Sequence, residues 1–289
     1  MVHSRLVSPG DSEQELVCVV RVEGPVTRHN ARRAVVDGEV GFVGGLNIAD
    51  RYMDGVPGIG IWRDTHLKVT GEVVTSLQVI FLIDWYFVRQ ELLLDKNEYL
   101  PYHQADNNVI VQTVTSGPDS DWASIQQSYF TLINMAKRYV FISTPYFMPG
   151  ETTLNSLKTA AMSGGDVRLL LPHKSDSWLT HWCTRSYVEE LLEAGVKIYW
   201  YQKGINHSKV IIVDGSVASV GTANMDIRSF ALNFEVNATI YSERTVGRLE
   251  AAFENDITKC KQVTRKVYDE RSLLIRAKEQ FSRLLSPLL

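Results

Sequence analysis

The stretch Val36–Asn47 (VDGEVGFVGGLN) recurs 177 positions later as Val213–Asn224 (VDGSVASVGTAN), with seven of the twelve positions identical. A repeat at this spacing constrains the fold more than any average property, because each copy must be the same small structural unit and the two must share a burial scheme. Each copy reads as an apolar strand, a tight Asp-Gly turn and a second apolar strand. That is a β-hairpin with Asp37 or Asp214 at its turn and Asn47 or Asn224 just past its second strand.

Upstream of the second copy the chain alternates between strand-like and helix-like segments. Asn108 to Thr115 is β-like, Asp121 is placed to cap a helix reaching Lys137, and Tyr139 to Ser143 is a buried strand ending at Thr144-Pro145. Glu151 to Met162 is helical and stops at Gly164-Gly165, Val167 to Leu171 is a strand, Leu179 to Ala194 is an amphipathic helix ended by Gly195, and Val196 to Tyr201 is a strand. The hairpin is followed by a strand from Phe234 to Tyr241, a helix near Arg244 to Lys259 and a charged terminal helix. This order predicts an α/β fold in which helices pack on a mixed sheet.

The first copy has far less ahead of it: 36 residues precede Asp37, of which only Leu16 to Val22 reads as a strand. About seventy residues of upstream βα structure are missing relative to the second copy. Downstream, Trp62 to Thr70 matches the later strand and Val73 to Leu94 reads as a helix. The expected organisation is two related lobes, the first incomplete over residues 1–106 and the second full-sized over residues 107–289.

With 45% apolar and 22% charged residues the chain has the composition of a folded globular protein. Its formal charge of −3 offers no general attraction to a polyanion, so nucleic acid is not an expected partner. Cys18, Cys183 and Cys260 are scattered and odd in number, which predicts free thiols in a reducing compartment, with neither a disulfide framework nor a zinc site. The apolar run around Val79–Ile83 is cut by Asp84, well short of the roughly 20 residues of a spanning helix. The first residues lack the apolar core of a signal peptide.

Chemistry concentrates just before the second hairpin. His207 and Lys209 lie two positions apart, a spacing that in a strand turns both side chains to one side, with Asp214 and Asn224 following at the turn and past the hairpin. An imidazole beside an ammonium suits attack on phosphate. The imidazole serves as nucleophile or general acid, while Lys209 and Asn224 steady the non-bridging oxygens as charge develops. Asp214, at the turn, is expected to support the site without reacting.

His207, Lys209 and Asp214, followed by Gly221-Thr-Ala-Asn224, resemble the HKD motif of the phospholipase D superfamily. Within it, Trp62-Arg-Asp-Thr-His66, Pro145-Tyr-Phe147, Leu169-Leu-Leu-Pro172, Gly221-Thr-Ala-Asn-Met-Asp226 and Asn233-Phe-Glu235 are similar to the bacterial cardiolipin synthases, from about Asp37 to the last residue. The resemblance implies a membrane-located phosphatidyl transfer: one phosphatidylglycerol gives its phosphatidyl group, through a phosphohistidine, to a second, and glycerol leaves. It implies no metal and no other cofactor. It also places Asn224, Asn47, Asp37, His66 and Glu235 around the phosphate, Glu235 as a partner for a histidine of the opposite lobe. A phospholipase D-type phosphodiesterase and a catalytically impaired fragment that binds phospholipid without turnover are the alternatives.

The first copy departs from this pattern. Where the motif calls for His and Lys, the chain has Asn30 and Arg32, while His29 stands one place early and so on the opposite face of a strand. In the family the first-copy histidine is usually the nucleophile and the second the acid. The departure is expected either from a piece of a longer protein, the favoured explanation, or from a short form that brings two His207 sites together in a homodimer.

Several residues carry weaker signals. Asp64 and His66 share a strand face, near the cleft by resemblance or simply on a polar strand surface. His173 and His181 lack metal-ligand spacing and are expected at the surface or behind the site. Trp85, Tyr86 and Phe87 read as core, whereas Trp178 and Trp182, four apart, are better placed to dip into lipid.

Overall fold

A computed structural model describes residues 33–47, 60–93 and 109–286, together with residues 55, 58, 99 and 100. The expected strand at Leu16–Val22, together with His29, Asn30 and Arg32, lies outside the described residues. Strands β1 (Arg33–Val36), β2 (Val40–Gly44) and β4 (His66–Thr70) form an antiparallel sheet in the order β1-β2-β4, covered by α1 (Glu72–Arg89). Between them β3 (Ile61–Arg63) leaves this sheet to pair elsewhere.

The large sheet has eight strands. These are β5 (Ile110–Ser116), β6 (Tyr139–Ser143), β8 (Asp166–Pro172), β9 (Lys197–Tyr201), β11 (Val210–Val213), β12 (Val217–Gly221), β14 (Glu235–Tyr241) and β15 (Cys260–Val263), in the order β15-β9-β8-β6-β11-β12-β14-β5. The β6-β8-β9 pairs are parallel and the remaining pairs antiparallel, as a mixed sheet requires when crossover helices give way to hairpins. Short parallel pairs join β7 (Phe147–Met148) to β13 (Met225–Asp226) and β3 to β10 (Gly204–Asn206). One face of the sheet is covered by α2 (Ser124–Met135), α3 (Glu151–Met162), α4 (Trp178–Ser186) and α5 (Val188–Glu193), enclosing Ile133, Leu157, Leu169, Val188 and Ile198. On the other face, Val43, Leu67 and Leu77 of the small unit share a core with Val220, Val236 and Phe253, the last from α7 (Glu243–Ile257).

The two hairpins are built alike because their turns are. Asp37 and Gly38 have φ of 53° and 68°, and Asp214 and Gly215 have 51° and 72°. Glu39 donates its N–H to the Val36 carbonyl at 3.0 Å and Ser216 to that of Val213 at 3.1 Å. Positive φ at both central positions matches the twist of the flanking strands, and Asp-Gly is the pair that adopts it at least cost.

Four expected elements are corrected. The Trp62–Thr70 strand is two strands of different sheets, broken at Asp64-Thr65. Asp64 and His66 therefore do not share a continuous strand face. The helix expected from Asp121 starts at Ser124 without a side-chain cap from its preceding residue, because the Ser116 hydroxyl accepts the Ile125 N–H at 2.9 Å. The Leu179–Ala194 helix is broken at Tyr187, where the Ser186 hydroxyl bonds back to the Cys183 carbonyl at 2.6 Å and the Tyr187 hydroxyl reaches Ser286 at 2.7 Å. The expected core aromatics Tyr86 and Phe87 are exposed, since α1 turns only the side of its first turns, with Val74, Leu77 and Gln78, into the core. Among the described residues no helix is long and apolar enough to cross a membrane.

Candidate active site

The site is made by the parallel pairing of β3 with β10, which places Ile61 beside Gly204, Trp62 beside Ile205 and Arg63 beside Asn206. Gly204, at φ 142°, is required here: a Cβ would stand 2.2 Å from the Ile61 carbonyl oxygen. The pairing ends with the His207 N–H donating to the Arg63 carbonyl at 2.7 Å, so the next residue on each strand, Asp64 and His207, meet side by side. Gly45 gives the carboxylate room, because a Cβ there would lie 2.2 Å from Asp64 Oδ1.

Asp64 Oδ2 lies 2.8 Å from His207 Nδ1, and Lys209 Nζ lies 2.8 Å from Nδ1 and 3.0 Å from Nε2. All three residues are buried, with Lys209 at 1% exposure. Burial alone would raise the Asp64 carboxyl, but the Lys209 charge and the His207 hydrogen bond together hold it below the usual carboxylate range. An ionised Asp64 is an acceptor only, which places a proton on Nδ1, so that in the neutral imidazole the lone pair is on Nε2. The imidazole is thus held at Nδ1 by a carboxylate, with an ammonium within 3.0 Å of both ring nitrogens. This arrangement suits a nucleophile or proton carrier working on an anionic phosphate.

A second layer of polar contacts fixes the pairing. The Arg63 guanidinium contacts Asp256 of α7 at 3.0 Å, Thr65 Oγ1 at 3.0 Å and Ser208 Oγ at 3.3 Å, and also donates to the Asp64 carbonyl. Asn206 donates to Asp256 at 3.3 Å and accepts from the Ser143 hydroxyl at 3.0 Å and the Ser208 N–H at 3.1 Å. Sequence reasoning missed Asn206 and Asp256, which lie 50 positions apart. An acidic residue at the apolar spacing of α7 was the available signal.

The other expected residues divide into two groups. His207 and Lys209 adjoin as the spacing predicts, although residues 207–209 form a connection between β10 and β11 and not a strand. Asn224 is buried near the end of β12, its N–H bonded to Ser229 Oγ at 3.2 Å and its Oδ1 without a hydrogen-bond partner among the described residues. Glu235 is buried at the start of β14 and accepts from Asn233 at 3.1 Å. Asn47 is half-buried, just beyond the Gly45 that abuts Asp64. His66 opens β4 opposite Gly44, and burial lowers its pKa against the opposing pull of Asp64.

Asp214 and Asp37 stand elsewhere, at the turns and thus at the far ends of their hairpins from this cluster. Asp214 accepts the backbone N–H groups of Lys137, Arg138 and Tyr139 at 2.7, 2.9 and 2.9 Å, tying the end of α2 to the hairpin. Its support is given to the fold, about 16 Å of strand away from Lys209. Asp37 is exposed.

A groove of about 820 Å³ adjoins Asp64, lined by Arg63, His66, Lys68, Lys203, Arg248 and Lys259 among others. Its charge is strongly basic, in contrast to the chain's net −3. The described residues contain no cluster of three or more His, Cys, Asp or Glu side chains able to hold a metal ion.

On α4, His181 accepts a hydrogen bond from Arg185 Nε at 2.9 Å, which requires a neutral imidazole. Burial, then the charges of Arg185 and His173, push its pKa from 6.5 down to about 4. The unfolded chain takes up this proton at a higher pH than the folded chain does. The stability is therefore intact above pH 6.5 and falls as pH drops from 6.5 towards 4. Discounted for solvent exposure, the loss is about 1–2 kcal/mol. Urea denaturation at pH 7 and pH 4.5 is expected to show a smaller acid loss for His181→Gln, and equal losses in the two proteins would refute this origin.

Residues 129–257 match the family model described as cardiolipin synthase, PLD-like domain. A cardiolipin synthase of Listeria monocytogenes is 46% identical over 263 residues, covering 91% of this chain and 55% of that protein. One from Geobacillus kaustophilus is 49% identical over 264 residues, covering 91% and 52%. The chain spans about half the length of the curated relatives it matches. Among solved structures, phosphatidylserine synthase of Haemophilus influenzae superposes with a TM-score of 0.67 at 14% identity, over 90% of this chain and 71% of that one, a likeness of fold.

Proposed function

Because the chain belongs with the bacterial cardiolipin synthases in the phospholipase D superfamily, we propose that its His207 site transfers a phosphatidyl group between two phosphatidylglycerol molecules at a membrane surface. The observation that carries this is the buried Asp64–His207–Lys209 cluster, an oriented imidazole beside a fixed cation. In the first half-reaction an imidazole nitrogen forms a bond to phosphorus, the bond from phosphorus to the glycerol oxygen breaks, and that oxygen takes a proton as glycerol leaves. In the second, the terminal hydroxyl of another phosphatidylglycerol forms the new ester, gives up its proton, and the phosphorus–nitrogen bond breaks. His207 is either the attacking imidazole or the acid that protonates glycerol. Lys209 and Asn224 hold the non-bridging oxygens, with Asn47, Glu235 and His66 around them.

This function fits two pseudo-repeated lobes, residues 1–106 as a truncated first and residues 107–289 as the second. Asn30 and Arg32 leave the first motif without its histidine and lysine, which favours a second reading as a phospholipid-binding piece without turnover. A homodimer pairing two His207 sites is the arrangement that would restore a second imidazole. Incubation with phosphatidylglycerol vesicles or with single-stranded DNA separates the possibilities. Glycerol release with cardiolipin formation is the expected result; cleavage of DNA alone would replace the function by a nuclease-type phosphodiesterase. A base-stable, acid-labile phosphoryl label on the chain would exclude the non-catalytic reading.

A further inference from the structure

The C-terminal helix α9 (Leu273–Leu284) is amphipathic but is packed with its polar side inwards. Its inner face consists of Glu279, which is held by Arg271 and Tyr268, and Ser282, and just beyond the helix Ser286 meets the Tyr187 hydroxyl at 2.7 Å. Ile275 is half-buried on the same side, and the other apolar residues of the helix point the other way. At 100° per residue, Leu273, Leu274, Ala277, Phe281 and Leu284 fall on one stripe about 100° wide. Leu273 is 84%, Leu274 67%, Phe281 61% and Leu284 77% exposed. A helix that hides carboxylate and hydroxyl groups while showing leucine and phenylalanine to solvent has a reason outside the domain, because contiguous apolar surface is costly in water and marks a contact site.

The charges around the stripe indicate what covers it. Of the six Lys and Arg in residues 264–286, Arg265, Arg271 and Arg283 are paired with Glu193, Glu189 and Glu190, which leaves Lys266, Arg276 and Lys278 as the cations beside the stripe. Arg276 and Lys278 flank the stripe on the helix, with Lys278 5.4 Å from the centroid of Trp182 on the adjacent α4. Trp178, one turn before it on α4, is 62% exposed. An apolar stripe bordered by cations and aromatic rings is the chemistry of a helix lying in the headgroup region of an anionic bilayer.

We propose that the outward stripe of α9, with Trp178 beside it, docks on an anionic phospholipid surface. The proposal deepens the function above, which requires substrate held in a bilayer, by assigning the face that meets it. It also corrects the expectation for Trp182, which is half-buried beneath Lys278 and leaves Trp178 as the exposed ring.

The test is flotation of the full chain with vesicles of phosphatidylglycerol and phosphatidylcholine, or of phosphatidylcholine alone. Wild type is expected to float with the anionic vesicles, more weakly at high salt, and Leu274→Ser/Phe281→Ser/Leu284→Ser to lose at least tenfold in binding. These positions are solvent-facing, so folding survives and the variant's circular dichroism should match wild type. His207→Ala is expected to bind vesicles as wild type does, which separates docking from catalysis. Turnover of short-chain phosphatidylglycerol below its micelle concentration reports the function independently. Such turnover without vesicle flotation would overturn the surface alone, whereas flotation without turnover would count against the function and leave the surface standing. Wild-type flotation by the triple variant would overturn the proposal, as would a dimer in sedimentation that the triple substitution dissociates while vesicle binding persists.

Discussion

Asp64→Asn is expected to lower kcat for the proposed phosphatidyl transfer by about 10²–10⁴ while changing KM little, a loss close to that of His207→Ala. The substitution keeps the volume and the hydrogen-bonding reach but removes the negative charge. A carboxylate accepts the His207 Nδ1 proton at 2.8 Å, whereas an amide whose N–H₂ faces Nδ1 would select the other tautomer. The proton would then sit on Nε2, the nitrogen whose lone pair must attack phosphorus or take up the proton of the attacking hydroxyl. Asp64 acts through His207 and is a positioning residue, so the pH–rate profile is the discriminating measurement. Loss of the carboxylate should displace the acidic limb, and Asp64→Glu should restore part of the rate. Activity within threefold of wild type for Asp64→Asn, with an unmoved pH profile, would show that the pairing orients nothing.

The largest effect on stability is expected at Asp256. Its carboxylate is 4% exposed and receives Arg63, itself only 12% exposed, together with Asn206. Asp256→Ala leaves the guanidinium buried without its counter-charge and should cost about 3–5 kcal/mol, seen as a lower urea midpoint at constant m-value. Arg63→Met/Asp256→Leu removes both charges while filling the space, and should recover most of that loss, because a buried pair is worth little more than apolar packing of similar volume. The double variant should fold yet remain poorly active, since Arg63 also holds Ser208 and Thr65 next to the site. A loss below about 1 kcal/mol for Asp256→Ala would mean that water, and not the ion pair, satisfies Arg63.

Much of the fold is legible because its signals are local. Tyr139–Ser143 and Glu151–Met162 have the predicted bounds, as uninterrupted apolar runs or helical spacing ended by Pro or Gly leave few alternatives. The hairpins follow from Asp-Gly, whose backbone preference acts within four residues. Errors fall where a distant partner overrides a local preference. Nothing near Asp64 announces that β3 will leave its neighbours for β10, and nothing near Tyr187 announces that Ser286 will hold it.

The candidate site is legible in the same proportion. His207 and Lys209 stand two positions apart, and their chemistry is complete enough to suggest phosphate without any structure. Asp64 lies 143 positions from His207 and was one polar residue in a strand until the parallel pairing set them 2.8 Å apart. Asp214, the third member of the sequence motif, proves to tie backbone to backbone.

By itself, then, the sequence determined the repeated hairpin, the alternating elements of a mixed sheet and the residue types for phosphate chemistry, all of which rest on spacings of a few residues. Only the tertiary structure decided which carboxylate orients His207, that Arg63 and Asp256 secure it, and that α9 shows its apolar stripe outwards. The physical reason is range. Backbone preference and side-chain periodicity act along the chain, whereas burial and charge pairing depend on which segments meet, and that is settled by the packing of the whole.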